Sequence, residues 1–351
     1  MSSNRISIND IDLDEIENLP TIRNLPRSKV RSKPTANKSR LCVQPIQDEI
    51  AQLVEQPDGE DHFNFTYSAS HHERQWIVNS LGGFYDSQWL DDVLHLIKGG
   101  KEAHVYQCLA NPSVPNLEQP YLAAKIYRPR MFRNLRKDHV YREGRQNLDE
   151  NGHAIINSGM IHAMHRHTAY GQELLHTSWV EYEFQALCVL FEAGADVPHP
   201  YARGNNAILM SYIGGDDVSA PTLNTVDLRQ KEARQLFDRV LHNIQVMLDH
   251  HRVHGDLSAY NILYWNGDIT LIDFPQVVDP QVNRNAFGIF ERDVTRICEY
   301  FASQGVKSNP RRIAADLWKA HDLRQMPEVH PALLDEEDET DRAFWQSQSG
   351  S

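Results

Sequence analysis

The stretch His254-Gly255-Asp256-Leu257-Ser258-Ala259-Tyr260-Asn261, followed by Leu271-Ile272-Asp273-Phe274, constrains this chain more than any other. It has the form H-x-D-L-x-x-x-N, then an aspartate after an apolar strand. Asp256 and Asn261 stand five positions apart, and Asp273 lies twelve further on. That spacing fits a loop, a short hairpin and a second loop, which would bring two carboxylates and an amide together. In-line phosphoryl transfer needs such a set. One carboxylate sits near the acceptor, and an amide oxygen and a second carboxylate hold magnesium on nucleotide phosphates. Asp and Asn are also ordinary turn residues. The flanking strings His-x-Asp-Leu, Ile-Leu-Tyr and Leu-Ile-Asp weigh against that plainer reading.

Upstream, Trp89 to Ile97 runs into Lys98-Gly99-Gly100-Lys101, and Ala103 to Leu109 reads as a strand. Strand, glycine turn, strand is the form of a phosphate-covering loop, because glycine lets backbone N–H groups approach closely. Gly99, Gly100, Lys101 and Glu102, with Val105 on the returning strand, are its candidate residues. The string matches neither G-x-G-x-x-G nor G-x-x-x-x-G-K-[ST], and a glycine pair also closes ordinary hairpins. Tyr121 to Tyr127 is a second strand with Lys125 inside it. A lysine there is costly without an anionic partner. The candidate partners lie on a helix read from Trp179 to Phe191, whose apolar positions 180, 184, 187, 190 and 191 recur at helical spacing. Glu183, at the border of that stripe, is favoured over its rival Glu181. Ala207 to Gly215 is a strand ending in glycines, where Met210, Ser211, Tyr212 and Ile213 could offer backbone groups to a base edge. A long amphipathic helix from Asp227 to His251 leads into His254. Two more helices are expected, near Phe290–Ser303 and Pro310–Ala320.

The 351 residues carry a net charge of −13, which argues against wholesale coating of nucleic acid but leaves local basic patches open. Residues 1 to about 60 join an acidic patch to a basic one with little to bury, and read as a solvated charged tail. A docking segment for an acidic or RNA-containing partner is the sharper alternative. Residues 328–351 form a second, acidic tail. Between Lys125 and the Glu183 helix lie roughly fifty residues dense in Arg, His and Asn, longer than structureless loops usually run. The Arg-rich part, Arg128 to Arg145, could meet phosphate or RNA. The four scattered cysteines fit reduced thiols in a cytoplasmic protein. His162, His165 and His167 fit a solvated loop better than a metal group. No apolar run approaches the roughly 18 residues of a membrane span.

Together these pieces make the chain similar to the RIO family of atypical protein kinases and ATPases over about residues 80 to 305. The resemblance rests on Gly100-Lys101-Glu102-Ala103-His104-Val105-Tyr106, Ala124-Lys125-Ile126-Tyr127 and His254 to Leu263. Ile272-Asp273-Phe274-Pro275-Gln276 and Asn285-Ala286 before Arg292-Asp293-Val294 add to it. It implies an α+β, two-lobed protein-kinase-like fold of the RIO type. A β-rich N-lobe would span 73–213, with a flexible loop at about 128–175, and a reduced helical C-lobe 214–327. It implies ATP with magnesium, or manganese, between the lobes. Asp256 would be the catalytic aspartate, Asn261 and Asp273 the metal ligands. Lys125 would touch phosphate and pair with Glu183, and Lys101 and its neighbours would cover the triphosphate. The family acts in ribosomal small-subunit maturation, often as ATP-driven switches, and some members pass through a phospho-aspartate at the position of Asp273. An acceptor protein or ribonucleoprotein partner would follow. The first sixty residues do not resemble the winged helix of some members.

Three departures from ordinary protein kinases have physical consequences. Gly255 stands where most have arginine, so no guanidinium there can pair with a phosphorylated activation loop. Pro275 replaces the glycine of D-F-G and should hinder a loop flip. No A-P-E is found: Met326-Pro327-Glu328 is the nearest string, and it comes more than fifty residues after Asp273. Two alternatives stay open. One is a small-molecule phosphotransferase of the aminoglycoside or choline type, which would need a larger helical C-terminal region. The other is a nucleotide-gated binding module.

Overall fold

A five-stranded sheet with a central strand buried on both faces organises the first half of the chain. In a computed structural model, which describes residues 63–128, 138–216 and 218–323, five strands form an antiparallel sheet. They are β1 (Leu90–Gly99), β2 (Ala103–Ala110), β3 (Tyr121–Tyr127), β4 (Pro200–Arg203) and β5 (Ala207–Ser211), in the order β1-β2-β3-β5-β4. The central strand β3 is buried from Leu122 to Tyr127. Because side chains alternate across a strand, Leu122, Ala124 and Ile126 pack with Ile77, Leu81 and Phe84 of α1 (His71–Asp86). Ala123 and Tyr127 join the opposite core. Lys125 belongs by parity to this second face, held in register opposite Val105 and Ile208.

The packed chain starts earlier than the sequence pattern indicates. Order was expected from about Glu73, yet Phe63 and Phe65 are buried, Phe63 lies 4.6 Å from the Tyr85 ring, and the Arg74 guanidinium sits 4.3 Å above Phe65. Phe63, Phe65 and Tyr67 alternate with exposed Asn64 and Thr66, a run too short to stand out in sequence, and they close the outer face of the sheet.

The expected flexible loop at 128–175 also differs. Its residues 129–137 lie outside the described residues. From Asp138 onward it holds α2 (Asp138–Arg142), α3 (Ser158–His165) and the start of α4 (Ala169–Glu192), ten residues before the expected helix start at Trp179. Thr168 caps α4, its hydroxyl accepting from the Gly171 amide at 3.0 Å. The first buried positions of α4 include Gly171 and Ser178, which an apolar count does not register. The described part of the basic segment is engaged inside the molecule: Arg145 stacks on Tyr182 at 3.4 Å and donates to the Pro275 carbonyl at 3.2 Å.

The second lobe packs α5 (Gln230–Asp249), α6 (Ala286–Ser303) and α7 (Pro310–Ala320) around the hairpin of β6 (Ile262–Trp265) and β7 (Asp268–Leu271). Phe237 of α5 meets Phe301 of α6 at 5.3 Å, and Trp318 of α7 rests on Phe287 and Phe290. Asn309 caps α7 ahead of Pro310 at its first turn. No helix among the described residues is long and apolar enough to cross a membrane. The expected tails, 1–60 and 328–351, lie outside the described residues.

If Phe63 belongs to the core, Phe63→Ala should cost roughly 3 kcal/mol by the large-to-small rule. Chemical denaturation measures this, and an unchanged midpoint would mean that the segment does not contribute.

Candidate active site

Three elements converge on one ammonium group. Lys125 Nζ on β3 lies 2.6 Å from Glu183 Oε1 on α4 and 2.6 Å from Asp273 Oδ1 after β7. Glu183 is buried and accepts from two further donors, the Tyr127 hydroxyl at 2.5 Å and the Phe274 amide at 3.2 Å. Its carboxylate is therefore compensated. Glu181, the rival partner, instead pairs with Arg203. Burial works to lower the Lys125 pKa, but Asp273 and Glu183 outweigh it and hold the group above its ordinary value. Burial likewise works to raise Asp273, yet Lys125, with help from His254 and Lys98, leaves its carboxyl below the usual range.

The loop after α5 is built largely from its own backbone. His254 is buried, its Nδ1 accepting from the Asp256 amide at 3.3 Å and its Nε2 facing the Ile272 carbonyl at 3.1 Å. This pattern sets the ring proton on Nε2. The ring packs 4.6 Å from Phe274, so the two loops share a wall. Asn261 Nδ2 donates to Asp256 Oδ2 at 3.0 Å and to the Asp256 carbonyl at 2.9 Å, which turns the amide oxygen of Asn261 away from them. Arg296 of α6 donates to Asp256 Oδ1 at 2.7 Å.

Gly255 has a reason to be glycine beyond the absence of arginine. Its φ is +84°, and a Cβ there would lie 2.1 Å from the Gln276 carbonyl oxygen. Its amide donates to the buried Asp293 carboxylate at 2.8 Å, and its carbonyl accepts from Arg292. Burial pushes the Asp293 carboxyl up, with His254 and Arg292 pulling the other way. Asp273 also lies at positive φ, +73°, which aspartate tolerates better than most side chains. The metal-loop candidate is thus held by Glu183 at Phe274, by Arg145 at Pro275 and by close packing of Gln276 on Gly255.

A cavity of about 560 Å³ opens between sheet and helical lobe. Of the expected residues, Gly100, Lys101, Glu102, Val105, Lys125, Glu183, Met210, Ser211, Tyr212, Ile213 and Asp273 line it. Gly99 does not: it is the last paired residue of β1, opposite His104. Asp256 and Asn261 do not line it either; their loop reaches it through Tyr260. The turn at Gly100 closes with its amide on the Ala103 carbonyl at 3.0 Å. At the expected hinge, the Tyr212 carbonyl is taken by Gln119 and that of Ile213 by the Ala220 amide, because the chain turns back at Gly214. A base edge would have to use the neighbouring backbone groups. Trp179, Ala220 and Leu263 add apolar walls. Trp179 and Ala220 carried no motif, Leu263 only closed one, and the fold brings the three together. The His162, His165 and His167 set forms no metal group: among the described residues, no cluster of three His, Cys, Asp or Glu could hold a metal ion.

A sheet-borne lysine bonded to a helix glutamate, above a helical lobe with two Asp-bearing loops, defines a protein-kinase-like architecture. The RIO domain model matches residues 104–313, and this chain belongs to that family. The human serine/threonine-protein kinase RIO1 is 28% identical over 211 residues, 60% of this chain and 33% of that protein. Bovine serine/threonine-protein kinase RIO3 is 35% identical over 130 residues, covering 37% of this chain and 25% of the relative. The RIO-type serine/threonine-protein kinase Rio1 of Thermoplasma acidophilum is 31% identical over 135 residues, 38% of this chain and 69% of its own length. The chain thus spans a third or less of the two mammalian relatives.

Gly255→Ala should destabilise the fold by about 1–3 kcal/mol, the range for a side chain forced into a strained backbone region. A denaturation midpoint equal to the parent's would contradict the close approach of Gln276. The depressed pKa of Asp273 has a signed consequence. Its contribution to stability is present above the ordinary aspartate value near pH 4 and is lost as pH falls through the lower folded value. Stability of Asp273→Asn, followed by denaturation from about pH 5 downward, should therefore fall less steeply below about pH 4 than that of the parent.

Proposed function

We propose that this chain is an ATP- and magnesium-dependent phosphotransferase and ATPase of the RIO type, acting on serine or threonine hydroxyls or on water. The observation that carries this reading is Lys125, held between Glu183 and Asp273 on the wall of a cavity of about 560 Å³. The cavity is large enough for a nucleotide. Lys125 supplies the fixed cation for its phosphates, and the Gly100–Glu102 turn lies along the same wall.

The donor set suits magnesium. Asp273 offers a carboxylate that is 41% exposed, and Asn261 an amide oxygen turned away from Asp256 by the bonds of its nitrogen. Two protein oxygens are what magnesium takes when phosphates and water supply the rest. When bound, the ion neutralises charge on the phosphate oxygens. Asp256, beside Asn261 and outside the cavity lining, orients the attacking hydroxyl or water. Asp273 now shares Lys125 with Glu183, so engaging a cation redistributes the contacts of the triad. This favours a conformational output alongside phosphate transfer.

Incubation with γ-labelled ATP, scoring free phosphate, self-labelling and transfer to proteins or ribonucleoprotein particles, tests the reading. Asp256→Ala should lower turnover by about 10²–10⁴-fold while nucleotide affinity holds. Undiminished turnover would remove Asp256 from its role. Rapid labelling of an aminoglycoside or choline would overturn the substrate class.

A further inference from the structure

One face of α6 is given over to the Asp256 loop. Arg292 and Arg296 stand at i and i+4 on one face, with Asp293 beside them, so their side chains can address consecutive groups. Asp293 accepts from the Gly255 amide at 2.8 Å, Arg292 donates to the Gly255 carbonyl, and Arg296 reaches the Asp256 carboxylate at 2.7 Å. The first two contacts fix backbone. The third fixes the side chain proposed to face the acceptor.

Backbone placement alone does not settle where an aspartate's oxygens point, because its terminal torsion is broad rather than staggered. Two contacts settle it here: Asn261 on Oδ2 and Arg296 on Oδ1. Asn261 comes from the loop itself, while Arg296 comes from a helix whose Val294, Ile297 and Phe301 are buried in the lobe core. We infer that Arg296 is a positioning residue, a guanidinium anchored on α6 that sets the plane of the Asp256 carboxylate for the acceptor. This rests on the reading of Asp256 given above. The plainer alternative is a solvated ion pair, since both side chains are 41% exposed. Pairs this exposed add little to stability. A role in orientation should therefore appear in turnover and not in melting.

The test is steady-state ATP turnover and thermal melting of the full chain as parent, R296A, R296K, D256N and the double variant R296A/D256N. Misplacement of a reacting group by an ångström costs up to about a hundredfold, so R296A should lower kcat by about ten- to hundredfold. KM for ATP and the melting temperature should hold, because Arg296 does not line the cavity. R296K keeps one charged donor and should recover part of the loss. In the D256N background R296A should cost nothing further, because a residue acting only through Asp256 has nothing left to orient. Parental kcat in R296A, with D256N impaired, overturns the inference and leaves the assignment of Asp256 standing. So does an equal loss from R296A in both backgrounds, which would place its action elsewhere. Parental turnover in D256N removes the reading of Asp256 itself, and the role of Arg296 with it.

Discussion

The ammonium of Lys125 is the point on which the two lobes agree. A lysine this buried is tolerated only when its charge is met, and here β3, α4 and the loop after β7 each supply a group to the same network. Buried ion pairs are poor sources of net stability, because desolvation consumes most of the attraction. Their effect is on geometry. The strand parity that puts Leu122, Ala124 and Ile126 against α1 puts Lys125 towards α4. The rotation of α4 that aims Glu183 inward sends Glu181 to Arg203. Moving any one of these elements out of register would leave a buried charge unmet.

Around that point the loops are restrained mostly through main chain. His254 bonds the Asp256 amide and faces the Ile272 carbonyl, while Asp293 holds the Gly255 amide. Gln276 approaches Gly255 so closely that no side chain fits between them. The sequence expectation treated Gly255 as a missing arginine and Pro275 as a brake on loop flipping. The structure gives both a shared cause: the two loops are packed backbone to backbone. Proline fixes one φ on one side, and glycine makes room on the other.

What the sequence disclosed follows from the range of each interaction. Asp256, Asn261 and Asp273 sit in short strings whose spacing is local, and α5 and α7 have apolar stripes that repeat at helical period, so these were legible. The start of α4 was not, because its first buried positions include glycine and serine, chosen by close packing; a Cβ on Gly171 would meet the Ala163 carbonyl. Phe63 and Phe65 alternate with Asn64 and Thr66 up to Tyr67, but five residues beside a charged tail are too short a period-two run to stand out. Gly99 and Gly100 looked equivalent as letters, yet ladder pairing removes Gly99 from the cavity. Arg296 was also overlooked, although it lies four residues after Arg292, which the family motif had already singled out. Helical spacing was the available signal.

The same restraints bear on how a nucleotide-bound state could differ from this one. A cation at Asp273 would compete with Lys125 for the charge of one carboxylate, and the residues after it are held in place. Phe274 is bonded to Glu183, and Pro275 accepts from Arg145, which itself stacks on Tyr182 of α4. Just before Arg145 in the chain, Glu143 is tied to Arg284 and Asn285 at the start of α6. A shift at Asp273 therefore has a continuous set of contacts into α4, the segment around α2, and α6. On the proposed reading, nucleotide state would be transmitted through those contacts rather than through a flipping loop, because glycine's freedom is absent at Pro275 and the backbone of Gln276 is already against Gly255.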